Sequence, residues 1–467
     1  TGMDCVAAEY QTVLWDKYHL LYLDGAYGWD QFDENKVSSR VMDYVAGNLS
    51  ETGENSVFRT KLCEASLLEY MFATDNDGTG MLRQASAYMK RHLPEDVAKK
   101  MYQQYQDGKK AEADGKTEYS VEDADQAIIN AKKEKEQADQ NDKEGAPQEE
   151  AGEKNIQDNE NNHAQDAEDS KKESPIQIVL QLKQNALLGM TVSDMSSLSA
   201  KAVEAKDMVS NRQCETGRYD MKKAEKMNVS DRVMVLEYIG KHFSDYTEPG
   251  KGDLTYEMEY ILCGKDTDKK NLESSIERLM RMREAANVAH IIADREKLNQ
   301  TLMIATSLAG FSGNPAVVKI VQIGVVAAWA YVESILDLRT LLSGGKISLI
   351  KSAAEWTTDL KKLGEIVTGE GKARECKNGL SYQAYIKQLL FAMKEKKMAY
   401  RMMDIMELAM QKEQNGKNAR MDHMIDNMIC ELRFEAKPLF AKRSLYGDME
   451  MGGYTFFKRQ KLSYINK

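Results

Sequence analysis

The chain has 467 residues, 42% of them hydrophobic, enough for two or three ordinary domains. Its net charge of -10 is unevenly spread: between Ala131 and Ser174 there are 14 Asp or Glu against 7 Lys or Arg, and the remainder is close to neutral. A near-neutral body with no basic stripe to displace counterions argues against a nucleic-acid binder.

The chain opens on a helical pattern, with Val6, Tyr10, Val13, Leu14 and Tyr18 at helical spacing. A helix already patterned at its first residues is expected to continue from something upstream. The run Leu20 to Leu23 and the stop Asp24-Gly25 predict a short strand, and Val37 to Leu49 a second helix. The longest strand candidate lies within Ser56 to Ala73, with Ser66, Leu68, Tyr70 and Phe72 on one face. Asp75 to Gly80 has the look of a calcium loop, but the twelfth position from Asp75 is Ser86, where a bidentate glutamate is needed, so a strand-to-helix turn is expected. Met81 to Tyr105 reads as mostly helical.

Residues 106–174 are different. From Asp139 on, Ile156 is the one aliphatic side chain larger than alanine apart from Pro147, and there is no Phe, Trp or Tyr. Such a segment buries too little apolar area to offset chain entropy and is expected to be a disordered acidic insert, with a short solvated helix over Tyr119 to Ala138. Ordered pattern returns at Pro175. Helices are predicted over Ile176 to Leu188 and Val229 to Tyr246, the second capped by Ser230 or Asp231. Leu254 to Cys263 alternates, with Glu257 and Glu259 opposite the apolar positions, and predicts an antiparallel strand with one wet face. A helical block follows from Lys269 to Met410, broken at Gly310, Gly313-Asn314-Pro315, Gly344-Gly345 and Gly369 to Gly371. Within it, Ile320 to Val332 is apolar on nearly every side and should be a central buried helix, its apolar core too short to span a membrane. Two strands close the chain, one through Cys430 to Ala436 with Glu431 and Glu435, the other over Tyr454 to Ile465 with Lys458, Arg459 and Lys461. Their opposite charges are expected to pair across a sheet.

The expected fold class is therefore α+β: a small N-terminal α/β part over 1–105, the insert over 106–174, and a larger, mainly helical part with an antiparallel sheet over 175–467. Both folded parts are free to contribute strands to one sheet.

Chemistry-bearing patterns are sparse. Glu333 and Asp337 stand at i and i+4 on one helical face, with Arg339 beside them. Two carboxylates so placed could hold a metal or do acid/base work. With no histidine close in sequence, the favoured reading is the exposed end of a helix, pairing with nearby basic residues. The six histidines are scattered, no cysteine pair has C-x-x-C spacing, and the catalytic and dinucleotide motifs are missing, so no cofactor, metal or enzymatic activity is expected. Met393 to Met410 and Met421 to Met428 are methionine-rich and read as adaptable core, and the cysteines as structural thiols.

Several strings taken together resemble the domain of unknown function 5702 family of Gram-positive bacteria. They are AEYQTVLWDKYHLLYLDGAYG (Ala8 to Gly28), LTYEMEYILCGKDTDKKNL (Leu254 to Leu272), the long run from Ala309 to Trp356, LSYQAYIKQLLFAM (Leu380 to Met393) and RMDHMIDNM (Arg420 to Met428). The resemblance implies a single-pass, pilin-like membrane-anchored protein of the cell surface that accompanies Tad-type pilus or secretion components. Its partners would then be proteins, and its membrane attachment an upstream helix absent from this chain. No site residues are implied. The alternative left open is an intracellular helical scaffold.

Overall fold

A computed structural model describes residues 12–26, 31–51, 60–94, 99–106, 120–144, 174–219, 227–364, 371–413, 416–436 and 454–464. The elements, in chain order, are α1 (Thr12–Tyr18), β1 (Leu23–Asp24), α2 (Glu34–Glu51), β2 (Thr60–Phe72) and α3 (Thr79–His92). Then come α4 (Val121–Glu144), α5 (Pro175–Lys183), α6 (Leu187–Thr191), α7 (Val229–His242), α8 (Glu257–Cys263), α9 (Asp268–Ala293) and α10 (Arg295–Ala309). The last are α11 (Pro315–Leu342), α12 (Tyr382–Phe391), α13 (Glu395–Gln411), β3 (Met424–Ala436) and β4 (Tyr454–Ser463). The fold is α+β, and the chain divides into two compact units that interleave in sequence. One comprises 1–103, 199–271 and 389–467, the other 104–198 and 272–388.

The first unit holds an antiparallel sheet in which β3 is central. β2 lies along one side of it, β1 and β4 along the other. N-terminal and C-terminal strands thus share one sheet. α2 covers one face, bringing Val37, Val41 and Val45 onto Leu62, Leu67, Tyr70, Phe72, Met428, Leu432 and Phe434. Strict alternation along β2 puts Leu68 on that face, but the register shifts between Leu62 and Glu64 and again between Leu67 and Glu69. Each irregularity moves the strand by one residue, so Leu67 rather than Leu68 is buried. The expected pairing of acidic with basic strands is present: Glu431 stands opposite Arg459, whose Nε donates to its carboxylate at 2.8 Å.

Asp75 to Gly78 forms the expected turn into α3, with Asn76, Asp77 and Gly78 at positive φ. The Asp75 carboxylate accepts from the Phe72 and Gly217 amides. Among the described residues no group of three or more His, Cys, Asp or Glu is placed to hold a metal. α7 begins at Val229 with Asn228, not Ser230 or Asp231, as its cap; the Asn228 side chain accepts from the Asp231 amide at 2.8 Å.

Leu254 to Cys263 is where the alternation misleads. The segment ends in helix α8, and all seven of its residues are buried. Glu257 and Glu259 do not face water: Glu257 accepts from the Ser244 amide and Glu259 from the Tyr246 amide, both at 2.9 Å. Asp268 accepts from the amide of Thr255 just before the helix. Acids spent on buried amides mimic the polar face of a strand. Gly264 ends the helix at φ +64°, and a Cβ there would lie 2.3 Å from the Arg401 guanidinium. That guanidinium donates to the carbonyls of Ile261, Leu262 and Cys263, the last of α8. Gly264→Ala combines left-handed backbone strain with displaced charged hydrogen bonds. It should cost roughly 2–4 kcal/mol, read as a lowered urea midpoint at unchanged m.

In the second unit α11 is the central helix. It starts at Asn314, whose side chain accepts from the Ala316 amide, with Pro315 in its first turn, and ends before Gly344 at φ +87°. By length and composition it could cross a membrane, yet nearly every residue from Val321 to Leu342 is buried inside the unit, against α4, α5 and α10. The helix expected to be solvated is therefore a packing partner. Val121, Ala124 and Ala131 of α4 are buried, and a Cβ on Gly324 of α11 would sit 2.2 Å from the Ala124 Cβ. Small residues at that crossing let the helices approach closely, and small residues are what make α4 look apolar-poor in sequence. The disordered-insert expectation for 145–173 lies outside the described residues.

Candidate functional site

Glu333 and Asp337, one turn apart on α11, are brought to one side of the helix as their spacing dictates. They are not at an exposed helix end: both are fully buried. α9 crosses that side and supplies Arg283 and, one turn on, Asn287. The loop after α11 supplies Lys351, Thr357 and Thr358, and α12 supplies Tyr385.

Of the four carboxylate oxygens, three accept hydrogen bonds and the fourth meets a cation. Lys351 Nζ donates to Glu333 Oε1, which also accepts from the Thr357 amide at 3.1 Å, and Oε2 accepts from the Thr358 amide at 2.9 Å. Asp337 Oδ2 accepts from Arg283 Nε and Asn287 Nδ2, each at 3.0 Å. Its Oδ1 lies 2.5 Å from Lys351 Nζ, an ion pair without hydrogen-bond alignment. The rest of the Arg283 guanidinium donates to the carbonyls of Ser348 and Leu349, to Tyr385 Oη and to Asn287 Oδ1. Two cations meet two carboxylates, so the quartet is neutral.

Burial alone would make Arg283 easier to deprotonate, but Tyr385 and Asp337 beside it carry its pKa above the ordinary arginine value. Burial pushes the Tyr385 hydroxyl up to about 12, against the opposing charge of Arg283. Both shifts favour the arginine cation and the neutral tyrosine hydroxyl near neutral pH. A general acid or base needs a titratable atom in reach of substrate and near working pH. Buried, charge-balanced groups instead tie four elements together, with the loop from Ile347 to Thr358 strapped onto α9, α11 and α12.

Arg339 does not join them. Two residues on from Asp337 it points to another side of α11, where Nε donates to the Met190 carbonyl at 2.7 Å and Nη1 to that of Gly371. Sequence reasoning missed Arg283, Lys351, Asn287 and Tyr385. The first and third left a trace: along α9, Leu272, Ile276, Leu279 and Ile291 form a buried stripe that Arg283 and Asn287 interrupt. Polar residues on a core-facing stripe need partners.

A second charged cluster lies in the first unit. Arg212 grips Glu407 with both Nη atoms, at 2.5 and 2.8 Å, and reaches Asp422 at 2.6 Å, where Arg420 also binds. Burial would raise the Asp422 pKa, but Arg420, the Glu215 amide and Arg212 hold it well below the usual carboxylate range. Asp404, Asp422 and Asp75 accept the amides of Ser210, Glu215 and Gly217, fastening an irregular stretch of chain. The methionines expected as core are core: Met398, Met402, Met403, Met406, Met410, Met421, Met424 and Met428 have no exposure.

Residues 165–436 match the family of unknown function DUF5702, and the chain belongs to that family. The resembling string Ala8 to Gly28 lies outside the matched residues. No curated protein and no solved structure matches the chain.

Proposed function

We propose that this protein is a non-catalytic structural or assembly component held at the outer face of a Gram-positive membrane, accessory to a Tad-like pilus or secretion apparatus. The observation that carries the non-catalytic part is the quartet. The two carboxylates most suggestive of chemistry are committed to Lys351, Arg283 and three neutral donors, and they brace a fold. The location rests on the family resemblance. An intracellular scaffold is the competing reading, and one observation favours it: among the described residues Cys63, Cys214, Cys263, Cys376 and Cys430 form no disulfide with one another, in keeping with a reducing compartment.

Protease treatment of intact native cells, read with an antibody to the C-terminal strands, separates the two. The acidic stretch 139–174 has the composition proteases cut first. The proposal expects cleavage on intact cells; protection that ends only on lysis would replace it with the intracellular scaffold.

A further inference from the structure

We infer that the outer edge of β4 is a docking surface for an extended segment of a partner protein, apolar in one half and acidic in the other, which adds to the sheet as a further strand. β4 bonds to β3 along one side, and among the described residues no strand pairs with its other side. An unpaired edge presents a row of backbone donors and acceptors to any extended chain.

The side chains of β4 give that edge a direction. In its first half Tyr454 is 59% exposed, Phe456 37% and Phe457 63%. Phe456 stacks on Phe434 of β3 at 5.2 Å and 17°, so the apolar face under α2 runs out to the edge and is left open there. In its second half come Lys458, Arg459 and Lys461. Arg459 is paired with Glu431, whereas Lys458 and Lys461 stand opposite Leu432 and Ile429 and make no ion pair among the described residues. Lysines alone would blunt an edge against aggregation. Three exposed aromatics beside them do the reverse, which marks the edge as selective.

Charge complementarity names the occupant. The sheet already shows one such match on the inner side, where Glu431 of β3 meets Arg459 of β4. A strand that repeats it on the outer side places one acid against Lys458, on the face of Tyr454 and Phe456, another against Lys461 on the opposite face, and aliphatic or aromatic side chains against Tyr454 and Phe456. A second copy of β4 brings no acid to either lysine. This inference deepens the assembly reading by naming the kind of partner, and its test uses purified chain, so its outcome is separate from the question of which side of the membrane the protein occupies.

Hydrogen exchange of the outward-pointing β4 amides, those not bonded to β3, is measured in the purified full chain alone, with a short synthetic peptide that alternates Val and Thr in one half and is a run of Glu in the other, so that acids reach both faces, and with the same peptide carrying Lys for Glu. The expected result is fast exchange alone, protection by the acidic peptide and none by the lysine peptide. The pair Lys458→Glu and Lys461→Glu lies at exposed positions and should leave the unfolding curve in place. It should weaken the acidic peptide roughly tenfold and admit the lysine one. Protection of those outward amides already present in the chain alone would overturn the inference, a mass measurement then telling self-association from a segment of the same chain. So would equal binding of both peptides, or binding of neither, which would leave the lysines as edge protection only.

Discussion

Lys351→Met should destabilise the second unit by about 3–5 kcal/mol, the usual cost of removing one partner from a buried ion pair. Methionine keeps most of the length of the stem, so little packing is lost and the effect is electrostatic. Without the ammonium, Glu333 retains the Thr357 and Thr358 amides, and Asp337 retains Arg283 and Asn287. The site is then left with one uncompensated negative charge where all four ionic side chains have no exposure. Trp356 stacks on His290, and the Lys351 ammonium lies 5.9 Å from its ring, so tryptophan fluorescence with Trp15 and Trp29 of the first unit replaced by Phe reports on this unit during urea unfolding. A loss below about 1 kcal/mol would match an exposed pair instead and would mean that water reaches the cluster.

Asp426→Asn should stabilise the first unit at neutral pH and do nothing near pH 4. Asp426, on β3, is fully enclosed; it accepts from Gln84 Nε2 at 3.0 Å, and Gly80 is a glycine because a Cβ would lie 2.4 Å from its carboxylate. Burial pushes its carboxyl up to about 6, with the amides of Gln84 and Asn427 offsetting part of that cost. The raised value means the folded state binds more protons than the unfolded state between about pH 4 and 6, so stability from this group falls as pH rises through that window. The full cost of ionising it is about 3 kcal/mol, reached by pH 7. His242 acts with the opposite sign. Burial lowers its pKa to about 4, so its contribution rises with pH between about 4 and 6.5. The quantity to follow is therefore the variant-minus-parent difference in urea unfolding, in which His242 cancels. The difference should grow from near zero at pH 4 to as much as about 3 kcal/mol at pH 7. A difference independent of pH would show that Asp426 ionises freely.

The parts of the fold legible in the sequence are those written in one period over a long stretch. α11 could be read because its apolar positions run on all sides between Asn314-Pro315 and Gly344-Gly345, and β3 because Cys430, Leu432, Phe434 and Ala436 alternate with charges. α8 could not, because Glu257 and Glu259 bond buried amides that only the folded chain brings near them. β2 was legible as a strand but not in its facing, since its register shifts depend on β3, more than 350 residues away. The carboxylate pair was visible on one helix, while the residues that determine its chemistry came from α9, α12 and a loop. Local spacing places Glu333 beside Asp337, but it carries no information on whether water, a metal or a lysine meets them.

The most direct test is a double-mutant cycle between Glu333→Gln and Lys351→Met, scored by urea unfolding of the second unit. A buried, neutral quartet predicts that each single change costs several kcal/mol and that the double change costs less than their sum by about 1–3 kcal/mol. Additivity within about 0.5 kcal/mol would contradict it, and would return Glu333 and Asp337 to the list of groups available for chemistry.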